Sequence, residues 1–185
     1  MKEHYHHGHL KNELIEVSIR IISEQGFDGL SLRNISKQCG VSHNAIYRHF
    51  DNKEQLIACC RNYVTERLTE FLNKAIDECS NESMLNAFCL AYIKFYKDNP
   101  TYFSFLYRNS AAKIIFTTEE IEGNYPPFEI LRKICYKEMN NAPKDEILAT
   151  LIKYWSLAQG AASLIISSNI EIDGNPEEYL KIVFS

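Results

Sequence analysis

The spacing of the apolar residues constrains this chain more than any other feature of its sequence, because it repeats at the period of an α-helix. Leu10, Leu14, Val17 and Ile21 are four, three and four residues apart, which places them on one face of a helix. The same period recurs along residues 56–75. We find no β-hairpin signal, no internal repeat and no low-complexity tract. The sequence therefore predicts an all-α chain of about nine helices.

Capping residues and helix breakers divide this pattern into separate helices. Gly26 can end the first helix, because glycine tolerates the positive φ angle found just after many helices. Ser31 and Ser42 can cap the two short helices that follow, with Gly40 between them, and Asn52 can cap a long one. Beyond the first helix, the predicted helices cover residues 32–39, 43–50, 53–79, 83–99, 100–109, 128–140, 143–168 and 176–184, with an irregular connector at 116–127.

The composition is that of a globular protein, since 45% of the 185 residues are hydrophobic and can form a core. No apolar run reaches about 18 residues, which argues against a membrane span. Residues 1–10 lack the apolar stretch of a signal peptide, so we expect a cytoplasmic protein. The six cysteines are not clustered as zinc ligands are, and we interpret them as small buried hydrophobic residues and expect no metal site.

The formal net charge of −4 is unevenly distributed along the chain. Residues 1–53 carry seven basic and six acidic side chains together with all six histidines, whereas residues 54–185 carry thirteen basic and eighteen acidic ones. A phosphate responds mainly to charges within roughly 10 Å, because salt screens those farther away. The N-terminal segment can therefore bind nucleic acid although the whole chain is acidic.

Residues 31–50 have the spacing of two short helices joined by a tight turn, as in a helix-turn-helix. The second helix would be about 12 Å long, comparable to the width of the DNA major groove. Ile46 and Phe50 are four residues apart and are predicted to pack inward. The opposite face carries an imidazole, an amide, a phenol and a guanidinium, on His43, Asn44, Tyr47 and Arg48. An ordinary solvated face would more often carry glutamate and lysine, so this set favours hydrogen bonding to DNA.

The side chains around this helix divide into candidate base contacts and candidate phosphate contacts. An amide pairs well with adenine and a guanidinium with guanine, so we assign Asn44 and Arg48 to bases. Hydroxyl, imidazole and ammonium groups suit phosphates, which set the register without reading sequence. The candidate phosphate contacts are Ser31, Tyr47, His49 and Lys53.

Residues 26–57 read GFDGLSLRNISKQCGVSHNAIYRHFDNKEQLI. They contain, in order, Gly26-Phe27, Ser31-Leu32-Arg33, Gly40-Val41-Ser42, Tyr47-Arg48-His49-Phe50 and Lys53. This series resembles the DNA-binding domain of the TetR/AcrR family, although Ser36 and Cys39 replace two alanines that are usual there. The resemblance implies that DNA is contacted by Arg33, Ser42, His43, Asn44, Tyr47, His49 and Lys53.

Four histidines near the N-terminus are expected to precede the first helix, namely His4, His6, His7 and His9. Three interpretations stay open for them: a metal site, a cloning tag, and a flexible arm near DNA phosphates. Metal ligands need a rigid spacing, so we favour the arm.

The resemblance implies that residues 1–52 form the DNA-binding domain and residues 53–185 a helical effector-binding and dimerisation domain. One group of large residues in the second part would either line a pocket for a hydrophobic or aromatic ligand or form an ordinary core. They are Phe88, Tyr92, Phe95, Tyr96, Phe103, Tyr107 and Trp155. A second group would form either a dimer face or an internal helix of a monomer. They are Tyr154, Ala158, Ala161, Ala162 and Ile165.

These features predict a sequence-specific transcriptional regulator of double-stranded DNA. The simplest form is a homodimeric repressor that leaves a palindromic operator when a small hydrophobic or aromatic ligand binds. An activator, a ligand-independent regulator, and a helical module that binds a ligand or partner without DNA are the alternatives. An enzyme is not expected, because every histidine precedes residue 50 and the rest of the chain offers no imidazole base. We accordingly expect no catalytic residue and no cofactor.

Overall fold

The computed structural model describes residues 4–80, 83–109 and 113–184, and every regular element in these ranges is a helix. The described helices are α1 (His4–Gly29), α2 (Leu32–Gln38), α3 (His43–Tyr47), α4 (Lys53–Asp77), α5 (Met84–Asp98), α6 (Pro100–Phe103), α7 (Pro126–Glu138), α8 (Lys144–Ile166) and α9 (Pro176–Val183). A π-helical turn, Ser104–Asn109, continues α6. The predicted all-α class is confirmed. None of these described helices combines the length and the apolar character needed to cross a bilayer.

The histidine-rich segment lies inside α1, which begins at His4, so the expectation that it precedes the first helix is wrong. The segment contains no proline, and an existing helix extends at low cost because each added residue forms a hydrogen bond without a new nucleus. The side chains of His4, His6 and His7 lie outside the described residues, and His9 is exposed.

Several other helix ends differ from those predicted by one to three residues, and the reason is clear for two of them. α3 ends at Tyr47 instead of Phe50. The amide N–H groups of His49 and Phe50 both donate to the carbonyl of Ile46, at 2.9 and 3.0 Å, which closes the helix with a tighter turn. α7 begins at Pro126 instead of residue 128, because proline has no N–H to satisfy and its fixed φ suits the first helical turn.

The chain forms two compact units. The first spans Met1–Val64 and Thr101–Ala112, and the second spans Thr65–Pro100 and Lys113–Ser185. Helix α4 supplies its first part to one unit and its second part to the other. The functional boundary predicted after residue 52 stays a prediction. The first compact unit contains α1, α2 and α3 together with the start of α4 and most of α6.

The first unit is built on the apolar face of α1. Leu14, Val17 and Ile21, which the sequence period placed together, are buried, and α1 packs on α2 and on the π-helical turn. On α4, the Cys60 thiol donates to the Ile15 carbonyl at 3.7 Å. Burial raises the pKa of the Cys60 thiol well above its ordinary value, so it stays protonated. This cysteine therefore packs as a small hydrophobic residue, as predicted.

A carboxylate joins three elements of the first unit. Glu16 on α1 accepts hydrogen bonds from the hydroxyls of Tyr63 on α4 and Tyr102 on α6, at 2.8 and 2.5 Å. The two phenol rings meet edge to face, with centroids 6.4 Å apart. Hydrogen bonds to an ionised acceptor are stronger than neutral ones. The network therefore fixes α1, on which α2 packs, against α4 and α6.

Two glycines hold backbone conformations that other residues avoid. Gly26 has φ 71° and ψ −177°, which ends the regular part of α1. Gly40 has φ 66° and follows α2. The Val41 N–H donates to the Ser36 carbonyl at 3.0 Å, the bond that closes a Schellman motif. The helix ends predicted at both glycines are confirmed.

We expect Gly26→Ala to lower the free energy of unfolding by about 1–3 kcal/mol, because a side chain is strongly disfavoured at this φ and ψ. Gly40→Ala is the matched variant. At Gly40 no heavy atom lies within 4 Å of the added Cβ. The Gly40→Ala variant therefore loses only the free energy of holding a non-glycine residue in the left-handed conformation, about 1–2 kcal/mol. Urea unfolding followed by circular dichroism measures both. A Gly26→Ala chain as stable as the unmodified one would contradict the expected strain.

The second unit packs α5 against α7 and α8. Trp155 on α8 is 5% exposed, and its ring centroid lies 5.6 Å from that of Tyr92 and 5.7 Å from that of Phe128. Cys89 and Cys135 are also buried here, and burial raises the pKa of each thiol to about 12. The unit therefore has an aromatic core with protonated thiols packed in it.

Candidate nucleic-acid interface

The surface formed by α2 and α3 is supported from inside by buried residues. Ile35 on α2, Ile46 on α3 and Phe50 just after α3 are at most 2% exposed. The predicted inward packing of Ile46 and Phe50 is confirmed. Ser31 caps α2 by accepting a hydrogen bond from the Asn34 N–H at 3.1 Å, so the start of this helix is fixed as well.

The outward face of α3 carries the four polar side chains predicted there. His43, Asn44, Tyr47 and Arg48 are all exposed, Tyr47 to 50%. The rings of His43 and Tyr47 meet edge to face with centroids 5.4 Å apart, which restricts the conformations of both. An amide and a guanidinium thus project from a short, well-anchored helix beside two rings that support each other.

The charged side chains of the surface formed by α2 and α3 are all basic. Residues 29–50 include Arg33, Lys37 and Arg48 but no aspartate or glutamate. All three basic side chains are exposed. Such a surface suits the DNA backbone, because neutralising phosphates releases bound counterions and drives association. The local field therefore favours DNA despite the net charge of −4.

The remaining side chains predicted to contact DNA differ in their availability. Arg33 and Ser42 are exposed. Ser42 stands at the N-cap of α3 but makes no side-chain bond to it, so the predicted side-chain cap is wrong. The Ser31 hydroxyl accepts the Asn34 N–H and keeps its own proton to donate. His49 is half-buried after the end of α3. The assignment of these residues to DNA stays a prediction.

Lys53 begins α4 and is half-buried. Its ammonium donates to the Phe27 carbonyl at 2.9 Å, which ties the start of α4 to the chain that follows Gly26. An ammonium has three protons to donate, so the bond to Phe27 leaves two for a phosphate. The same side chain can therefore brace the unit and contact DNA.

Lys53→Gln is expected to weaken binding to all DNA sequences alike and to flatten the slope of log K against log salt by about one unit per protomer. Glutamine keeps a donor for Phe27 but loses the charge. Titrations of a specific and an unrelated duplex over a range of salt concentrations measure both quantities. A loss confined to one sequence, or an unchanged slope, would show that Lys53 does not neutralise a phosphate.

The seven residues predicted to line a ligand pocket are divided between the two units. Five of them lie in the second unit and are buried there: Phe88, Tyr92, Phe95, Tyr96 and Trp155. Phe103 and Tyr107 belong to the first unit, with ring centroids 5.0 Å apart. The packing of the five rings is typical of a core, which is the alternative left open by the sequence. Their role in ligand binding stays a prediction.

The residues predicted to form a dimer face lie on two sides of α8. Ala158 and Ala162 are fully buried inside the second unit and cannot reach another chain, so the prediction is corrected for these two. Ala161 and Ile165 are half-buried in the wall of an apolar groove between α8 and α9. Tyr154 is half-buried.

Sequence reasoning missed three large apolar residues on the outward face of α8 and α9. Leu157 and Leu164 on α8 are 36% and 50% exposed, and Ile182 on α9 is 70% exposed. The groove between these helices has a volume of about 340 Å³ and is lined almost entirely by apolar atoms. The signal was present in the spacing of residues 157, 160 and 164, but α8 is apolar on both sides, so the pattern did not show which side faces out.

Two family descriptions match the chain. The one for bacterial regulatory proteins of the tetR family matches residues 14–59, which include α2 and α3. The one for the tetracyclin repressor-like C-terminal domain matches residues 85–184, more than half of the chain. The two matches together cover both the candidate interface and most of the second unit.

Individual proteins are similar over different extents. The biofilm operon icaADBC HTH-type negative transcriptional regulator IcaR of Staphylococcus aureus is 33% identical over 70 residues, which are 36% of this chain and 38% of IcaR. The match thus spans well under half of that relative. A protein of unknown function from Rhodococcus sp. RHA1 superposes with a TM-score of 0.72 at 19% identity, covering 98% of this chain and 95% of the other. A TetR-like transcriptional regulator from the same organism gives 0.65 at 16% identity, covering 92% and 91%. These solved structures share the fold.

Proposed function

The chain belongs to the TetR family of bacterial regulatory proteins, and from this premise we propose that it is a sequence-specific DNA-binding transcriptional regulator. It acts in the cytoplasm as a homodimeric repressor on a palindromic operator. The exposed, acid-free surface of α2 and α3 is the observation that carries this proposal. The relative IcaR is named as a negative transcriptional regulator, which supports repression, and not activation, as the proposed role of this chain.

Selection from a random pool of duplex DNA with the purified chain tests the proposal. We expect the recovered sequences to converge on a palindrome whose half-sites lie about 34–36 Å apart, or a multiple of that distance. A converged sequence without two-fold symmetry would contradict the homodimer. Recovery no better than the starting pool would contradict sequence recognition altogether.

The homodimer is proposed to form through the outward face of α8 and α9. One recognition helix buries too little surface for tight specific binding, so a regulator of this kind needs two. Leu164, Tyr179 and Ile182 are large and apolar yet 48–70% exposed, and monomeric proteins rarely leave such a patch open. A four-helix bundle of α8 and α9 from two chains would cover them.

Relief of repression by a small hydrophobic ligand belongs to the same proposal. A ligand that binds one conformation of the second unit better than another shifts the population toward that conformation. α4 supports this coupling, because one continuous helix supplies residues to both units. A change in the spacing of the two recognition helices would then cost contacts in both half-sites.

A further inference from the structure

A groove of about 900 Å³ opens in the second unit between the later part of α4, the connector before α7, and one face of α7. Its volume falls in the range of small-molecule sites, about 300–1,000 Å³. None of the seven residues of the predicted aromatic pocket lines it. The groove is therefore a separate candidate for the effector site.

The floor of the groove is aliphatic. Ile76 of α4, Met84 of α5, and Ile130 and Ile134 of α7 line it. Ile134 is 4% exposed and the other three are half-buried. Apolar side chains arranged in this way bind a hydrocarbon portion, since removal of apolar surface from water is favourable and needs no directional contact.

Two of the three acidic side chains at the connector end of the groove contact the same guanidinium, that of Arg132. Glu129 accepts hydrogen bonds from the Arg132 Nε at 2.7 Å and from the Asn124 Nδ2 at 2.8 Å. Glu120 lies 3.8 Å from the same guanidinium. Glu122 is exposed and is the acidic residue of the lining, among the described residues, that has no such contact.

Lys133 and Lys137 line the groove one turn apart on α7. Both are exposed, and within the described ranges neither pairs with a carboxylate. Glu138, the neighbour of Lys137, is engaged elsewhere, because its carboxylate accepts from the Ser83 hydroxyl and the Met84 N–H. Two uncompensated cations therefore lie beside an aliphatic floor.

We propose that this groove is the effector site and that it binds a small anionic amphiphile, with a carboxylate or phosphate head and an aliphatic body. The head pairs with Lys133 and Lys137, which supply hydrogen bonds assisted by charge. The body lies on Ile76, Ile130 and Ile134. The three carboxylates of the lining are balanced in formal charge by the two lysines and Arg132, so the preference for an anionic head depends on position. Lys133 and Lys137 lie beside the aliphatic floor, whereas the carboxylates lie at the connector end.

The groove can influence DNA binding through α4. Thr69, Asn73 and Ile76 line it along one face of α4, and the same helix begins at Lys53. A ligand held between α4 and α7 displaces α4, whose continuous backbone hydrogen bonds transmit the displacement along the helix. This regulatory step rests on the proposed function, whereas the binding step does not.

Isothermal titration calorimetry with the full chain and no DNA tests the binding step. The probes are dodecanoate, dodecyl phosphate, dodecan-1-ol and dodecylamine, which share the hydrocarbon chain and differ in the head group. Each is used below its micelle concentration or, for the alcohol, its solubility limit. We expect both anions to bind at least about tenfold more tightly than the alcohol and the amine. The tighter of the two anions identifies the head group. Equal binding of all four probes, or binding of none, would overturn the proposal.

Paired variants test the lysines. Lys133→Glu with Lys137→Glu is expected to lower dodecanoate affinity at least about tenfold. Lys133→Arg with Lys137→Arg keeps both cations and is expected to stay within about threefold of the unmodified chain. Lys94→Glu with Lys113→Glu is the matched control, since both lysines are exposed outside the groove. Unchanged affinity in the folded Lys133→Glu, Lys137→Glu variant would overturn the assignment.

Measuring whether a ligand releases the chain from the selected operator distinguishes failure of the groove assignment from failure of the proposed function. We expect dodecanoate to release the unmodified chain and not the Lys133→Glu, Lys137→Glu variant. Dodecanoate binding by a chain that ignores DNA would overturn the proposed function and leave the groove assignment standing. DNA binding by a chain that binds none of the four probes would overturn the groove assignment and leave the proposed function standing.

Discussion

Combined replacement of Asn44 and Arg48 by alanine is expected to reduce affinity for the selected operator at least about a thousandfold. Each good bidentate contact to a base contributes about 1–3 kcal/mol, and a homodimer presents each side chain in both half-sites. Both residues are exposed, so truncation removes no packing. Ile46 and Phe50, which anchor α3, are unchanged. The loss therefore falls on DNA binding and not on folding.

Fluorescence anisotropy with the operator and with a scrambled duplex measures this effect. Affinity for the scrambled duplex should fall less, because phosphate contacts survive the loss of base contacts. Lys94→Ala is the matched control, since it removes an exposed cation from the second unit. Undiminished operator affinity in the double variant would exclude α3 as the recognition helix.

The single variants separate the roles of the two side chains. Arg48→Ala is expected to relax the preference at a guanine position, and Asn44→Ala at an adenine position. Repeating the selection with each variant identifies the position concerned. A uniform loss with the preference intact would reassign that side chain to a phosphate.

Leu157→Glu together with Leu164→Glu is expected to convert the homodimer into monomers and to abolish high-affinity operator binding. The two substitutions bring carboxylates into an apolar interface, and an uncompensated buried charge costs about 3–5 kcal/mol. The leucines are 36% and 50% exposed in the isolated chain, so the second unit itself tolerates the change. The effect is thus specific to association.

Sedimentation velocity at micromolar protein concentration distinguishes monomer from dimer in this variant. Asn62→Glu, exposed on α4 outside this face, is the matched control and should remain dimeric. Weak binding to unrelated DNA should persist in the monomer, because α2 and α3 are unchanged. A folded double variant that still sediments as a dimer would place the interface on another surface.

The exposed and buried sides of α2 and α3 could be predicted almost residue by residue. The cap at Ser31, the helix ends at Gly26 and Gly40, and the burial of Ile46 and Phe50 all followed from local rules. The family resemblance of residues 26–57 is confirmed by the family match over residues 14–59. Each of these features depends on interactions within a few residues, which a linear pattern records.

The predictions from sequence failed at two places where the local sequence pattern did not determine the structure. The segment at His4 joined α1, since a helix extends readily into a polar sequence that contains no breaker. On α8 the sequence offered apolar residues on both sides, so Ala158 was assigned to a dimer face although it is fully buried. The choice between Ala158 and Leu157 depends on how α8 packs against α5 and α7.

The sequence by itself determined the helical class, the order of the helices and the identity of the side chains that α3 exposes. Their causes are backbone capping and side-chain spacing over one or two turns. Only the tertiary structure decided which side of α8 faces out, which acids Arg132 contacts, and where the groove beside Lys133 opens. Those outcomes require contacts between residues far apart in the chain, and no local period encodes them.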